Sequence, residues 1–148
     1  MTDPEWFAAI VRDSPDAVIV AGTDGRIQVW NPGAERLFGH PASEVLGESL
    51  DVIIPERLRK AHWEAFDRAL QAGHTRYDGR PMTTRSMRKD GAKLYVDMSF
   101  ALLTDAAGAP AGALAIARDA TARYEAERAL RERVAEMERE LAAIRPVK

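Results

Sequence analysis

The chain has 148 residues, 46% hydrophobic and 30% charged, enough for one domain with a buried core and an appended element. A formal net charge of -2 and a pI near 5.9 set nucleic acid and anionic membrane surfaces aside as partners, and the absence of cysteine excludes disulfides, thiolate metal sites and cysteinyl adducts. The apolar run 111 to 117 stops at Arg118, far short of a membrane span, and Asp3 and Glu5 stand where a signal peptide would be basic. A cytoplasmic protein is expected.

Asp3 followed by Pro4 reads as an N-cap with proline at the first helical position, opening a helix over residues 4 to 13. Trp6, Phe7, Ile10 and Val11 form its apolar stripe, which must be covered by the domain or by a second copy of itself. Ser14-Pro15-Asp16 ends the helix. Residues 17 to 21 and 26 to 30 then read as two antiparallel strands across Gly22-Thr23-Asp24-Gly25. Asn31-Pro32 is again a cap and first helical residue, for a short helix closing at Gly39, and residues 40 to 47 hold one further helical turn. His40 falls in that loop and is expected to be exposed.

Residues 55 to 80 carry the ligand chemistry of the sequence. From Glu56 to Ala72 strong helix formers run without Gly or Pro, and Leu58, His62, Ala65, Phe66 and Ala69 share one helical face. Gly73 supplies the stop. His62 therefore points inward, either as a core histidine hydrogen-bonded to a backbone carbonyl or as a ligand. Ala65 and Ala69 leave room beside it for a flat group, and Arg68, His74 and Arg80 are cations able to meet its acidic edge. Those cations read equally as a solvated charged face.

Residues 80 to 88 alternate as an extended segment, Lys89-Asp90-Gly91 is a tight turn, and residues 93 to 103 place Leu94, Val96, Met98, Phe100 and Leu102 on one face of a half-buried strand. Residues 111 to 118 form a last strand, rich in small residues and expected to be central. From Thr121 to Ile144 the chain lacks Gly and Pro, and Leu130, Val134, Met137, Leu141 and Ile144 are spaced as the seam of a coiled coil. With these as d, a, d, a, d, Arg133 faces Glu138 and Glu140 faces Arg145 across a parallel partner, opposite in sign both times. A parallel homodimer follows, against the alternative of a helix folded back on its own domain.

The order of elements and their punctuation resemble a PAS domain. The resemblance rests on Ser14-Pro15-Asp16-Ala17, Thr23-Asp24-Gly25-Arg26, Trp30-Asn31-Pro32 with 34 to 39 (Ala-Glu-Arg-Leu-Phe-Gly), Arg88-Lys89-Asp90-Gly91, and Arg118-Asp119-Ala120-Thr121, similar to the Asp-Ile-Thr junction that leads such domains into an output helix. It implies an α+β fold, a five-stranded antiparallel sheet of order 2-1-5-4-3 with helices over one face enclosing a ligand cavity. The domains are then an N-terminal amphipathic helix over 1–14, a PAS domain over 15–119, and a coiled-coil signalling helix over 120–148. Within that family the stretch 55 to 80 resembles the heme-binding oxygen sensors of the FixL type. That resemblance implies heme b, with His62 as the proximal iron ligand, Arg68 and His74 as propionate partners, Arg80 as the distal arginine that answers bound gas, and Met98 and Phe100 over the distal side.

The expected function is thus a sensory module that binds heme and a diatomic gas and signals through its dimeric last helix to an effector of unknown kind. The alternative is a cofactor-free PAS module that dimerises or holds a small apolar ligand or anion. A flavin photoreceptor of the LOV kind is disfavoured by the missing cysteine. No Gly-x-Ser-x-Gly elbow, phosphate loop or paired carboxylate constellation points to catalysis, and no kinase or DNA-binding segment follows the final helix. The chain is expected to be a sensor without its effector.

Overall fold

The computed structural model describes residues 1–77 and 79–144. Helix α1 (Asp3–Asp13) is capped one residue earlier than the Asp3-Pro4 pair suggests: the Glu5 carboxylate accepts from both the backbone N–H and the hydroxyl of Thr2, a reciprocal capping box that Asp3 cannot make. Strands β1 (Ala17–Gly22) and β2 (Ile27–Trp30) form the expected hairpin, with an irregularity between Val20 and Ala21. Helices α2 (Pro32–Phe38) and α3 (Ala42–Val45) follow. A 3₁₀ turn at Leu50–Ile53 then leads into α4 (Glu56–Ala72). Strands β3 (Met82–Met87), β4 (Lys93–Thr104) and β5 (Pro110–Asp119) complete one antiparallel sheet, and α5 (Thr121–Ile144) leaves it. The sheet order is β2-β1-β5-β4-β3, as the resemblance implies, with β5 central.

Period-two alternation decides which residues meet the helices. Leu94, Val96 and Met98 of β4, Ala17, Ile19 and Ala21 of β1, and Ala117 of β5 are buried, and they pack with Ile27, Trp30, Ala34, Phe38, Val45 and Ile53. Small residues on the central strand let α2 come close. Gly33 is required there, because a Cβ at that position would stand 2.2 Å from the Asp16 carbonyl oxygen.

Asn31 ties this layer together. Its Oδ1 accepts from the backbone N–H of Val18 and Ala34 at 2.8 and 2.9 Å, and its Nδ2 donates to the carbonyls of Val11 and Asp16 at 2.9 and 3.0 Å. One buried side chain thus caps α2, holds β1 and receives the end of α1. His40, expected to be exposed, is half-buried with its ring edge-on to Trp30. Its backbone carbonyl accepts from the Trp30 indole, and that bond draws the loop inward.

Helices α1 and α5 bury no residue fully. Trp6, Phe7 and Ile10 stand exposed, with Val11 half-buried, and all five seam residues of α5 are exposed. A groove of about 500 Å³ runs along that seam, lined by Val134, Met137, Leu141 and Ile144 with Arg133 and Glu138. Arg145, read as an e position, lies outside the described residues.

Candidate functional site

Helix α4 carries the candidate histidine. Its half-buried face is Leu58, Arg59, His62, Trp63, Phe66, Ala69 and Leu70, a helical stripe, and Gly73 closes it in the left-handed conformation. Ala65, read from its spacing as part of that face, is exposed, since the stripe is centred on Trp63 rather than on Ala65. No residue of α4 is fully buried.

What holds α4 is concentrated in its first half. The Trp63 indole N–H donates to Asp51 Oδ1 at 2.8 Å, and Arg59 donates to the carbonyls of Ile54 and Asp51 at 3.0 and 3.2 Å. The Trp63 ring lies on the hairpin turn at Gly25, where a Cβ would come within 2.4 Å of the indole. These contacts fix the first half of the helix to the 3₁₀ turn and to the β1–β2 hairpin. The second half has no such anchor among the described residues.

His62 lies in the anchored half, between Arg59 and Trp63 along the helix. Its ring is 4.7 Å from that of Trp63, edge to face, and 6.2 Å from that of Phe66. Burial pushes its pKa below the ordinary value, and the charge of Asp51 only partly opposes that shift. The imidazole is therefore neutral at pH 7, the form that ligates metals. Its Nδ1 is buried without a hydrogen-bond partner in the described structure, so the backbone-bonded core histidine is not what is seen at that atom.

The other expected site residues spread out. Met98 is buried on the inner face of β4, and Phe100, two residues on, is half-buried there. Arg68 and His74 are exposed, with His74 Nδ1 3.3 Å from the Thr75 carbonyl oxygen. Arg80 is exposed too, and both its backbone N–H and its Nε donate to the Tyr77 carbonyl. Of the six, His62, Met98 and Phe100 are at least half removed from water, and the three cations are exposed. Two shallow concavities lie elsewhere, along α5 and beside Gly39 and Arg88.

A family model described as PAS fold matches residues 11–125. The chain belongs to the PAS family. Its PAS domain is 33% identical over 119 residues to the oxygen sensor protein DosP of Escherichia coli (strain K12), covering 80% of this chain and 14% of that one. It is 30% identical over 91 residues to the sensor protein FixL of Bradyrhizobium diazoefficiens, covering 62% of this chain and 18% of the relative. The chain therefore spans less than a fifth of the length of either sensor. Among solved structures, a PAS domain from Colwellia psychrerythraea superposes with a TM-score of 0.70 at 21% identity, covering 80% of this chain and 97% of that one.

Asp51, Arg59, Trp63 and Gly25 are the site residues that sequence reasoning passed over. Trp63 was legible in part, as an aromatic beside His62 within reach of the inward stripe. Asp51 had no signal, because its role depends on a turn twelve residues before the tryptophan it receives.

Proposed function

We propose that this PAS domain is a non-catalytic sensory module of a cytoplasmic signalling protein, in which His62 takes the iron of a heme b and a diatomic gas is the signal. The observation that carries it is the neutral imidazole of His62, its Nδ1 buried without a partner, on a helix that buries no residue fully. The likeness to DosP, named an oxygen sensor protein, supports the same reading. Heme would supply an iron centre open to a gas on one face. For its part the chain would offer His62 to hold the iron, Met98 and Phe100 as apolar contacts, and Arg68, His74 and Arg80 as cations able to pair with propionates or donate to bound gas.

Output would pass along α5. Its exposed apolar seam supports a homodimer through the last helix, with the stripe of α1 adding to the interface. The effector that such a pair would drive belongs to whatever adjoins the domain in the full sensor.

A second reading has its own support: the three cations are exposed and turned to solvent, which suits a PAS domain that holds a small apolar ligand or none. Hemin titration decides between them. Saturation at one heme per chain with an intense Soret band is expected, and His62→Ala should abolish the band or shift it strongly. Stoichiometric binding with an unchanged spectrum in the variant, or no binding by either protein, overturns the heme reading.

A further inference from the structure

The outer face of the sheet, away from α4, carries a cluster whose parts come from three elements. Opposite one another on β3 and β4 stand Thr83 and Asp97, then Arg85 and Tyr95. Helix α5 begins directly after β5 and crosses this patch with its first turn. Tyr95 N–H donates to the Thr121 hydroxyl at 3.0 Å, and the Tyr124 ring stacks on that of Tyr95 at 3.7 Å and 16°. The Arg85 guanidinium lies over the Tyr95 ring as well, 5.6 Å from its centroid.

Beside the stack is a closed triangle of side chains. Arg123 grips Asp97 in a two-pronged ion pair, with Nη2 to Oδ1 at 2.7 Å, and the same Nη2 donates to the Thr83 hydroxyl at 3.1 Å. The Thr83 hydroxyl in turn donates to Asp97 Oδ1 at 2.6 Å. Exposed single ion pairs contribute little to stability, but a bidentate pair with a third member has one preferred geometry. That geometry is satisfied only when β3, β4 and the first turn of α5 hold fixed positions. Thr83 is the second residue of edge strand β3, which follows directly on the segment leading out of α4.

We propose that Thr83, Asp97 and Arg123 form a latch that sets the direction in which α5 leaves the sheet, and that β3 is the strand through which a displacement near α4 reaches that helix. The latch rests on the reading of α5 as the output element. It requires neither heme nor pairing. Thr83, Asp97 and Arg123 are therefore positioning residues, acting on the helix rather than on a ligand.

The cysteine-free sequence allows a clean test. Nitroxide labels at Ala101→Cys on β4 and Arg131→Cys on α5 report the spread of helix directions by pulsed electron resonance. The protein is heme-free and carries Val134→Glu and Leu141→Glu, so that only distances within one chain are read. Asp97→Asn and Arg123→Gln should each broaden the distance distribution roughly twofold, and together no further. The exchange Asp97→Arg with Arg123→Asp should narrow it again. Thr83→Val, which keeps the fold and the ion pair, should give an intermediate width. By reciprocity Arg123→Gln should also speed amide exchange in β3. An unchanged width in Asp97→Asn overturns the latch, and a loosened α5 with unchanged β3 exchange overturns its link to that strand. A failed hemin titration would leave all of these distances as they are.

Discussion

Two sides of this domain obey different rules. Around α2 the apolar residues Ala34 and Phe38 are fully buried, and the buried Asn31 that caps the helix makes four hydrogen bonds. Around α4 a seventeen-residue amphipathic helix buries nothing fully. Close packing makes a unique structure, and its local absence makes a place where a ligand or a motion can be accommodated at small cost. The scaffold is at α2 and the adaptable part is at α4.

That contrast can be broken most severely at Phe38. Phe38→Ala should cost about 3–5 kcal/mol in urea denaturation, because the fully buried ring sits against Trp30 at 5.4 Å where the surroundings cannot collapse. Asn31→Ala comes next, at roughly 2–4 kcal/mol, since it removes a helix cap and orphans buried backbone groups on β1. On α4 the same truncation should be mild: Phe66→Ala is expected to cost about 1 kcal/mol, in keeping with a ring only half removed from water. A loss at Phe66 equal to that at Phe38 would mean that α4 is packed as tightly as α2.

The smallest effect sharpens the comparison by pH. His62 has a folded pKa below its ordinary 6.5, so its neutral form is favoured in the native state. The native state then binds fewer protons than the unfolded chain, and stability is fully present above pH 6.5 and falls as pH drops below that value. His62→Phe should remove this part of the slope in denaturation series between pH 7 and 5. Asp97 acts with the same sign in a lower window: held at about 2 by Arg123 and Thr83 against an ordinary 3.8, it contributes above pH 4 and is lost only as pH falls toward 2. The two groups titrate in separate windows and can be told apart in one experiment.

How much of this could be read from the residues follows from where each interaction is encoded. Alternation in β4, the Asn31-Pro32 cap, the Gly73 stop and the α5 heptads are written in neighbouring residues, and all of these elements appear at or within a residue or two of their expected limits. The 3₁₀ turn at Leu50–Ile53 was illegible, because Ser49 closes it by accepting from Asp51 N–H and nothing periodic marks so short a turn. The inward face of α4 was read about one position off, through Ala65, since the tie that rotates the helix is the long-range bond from Trp63 to Asp51. For the same reason Arg68, His74 and Arg80 were drawn toward His62 by sequence proximity, while the structure sets them in water at the far end of α4 and beyond it.

One contact described above bears on how this domain could be re-engineered. Gly25, at φ 76° and directly under the Trp63 ring, acts as a shim of zero thickness between the β1–β2 turn and α4. Any side chain placed there would wedge the anchored half of the helix away from the hairpin, besides straining the turn. The distance between the β1–β2 turn and the anchored half of α4 is thus set by the absence of a side chain at position 25.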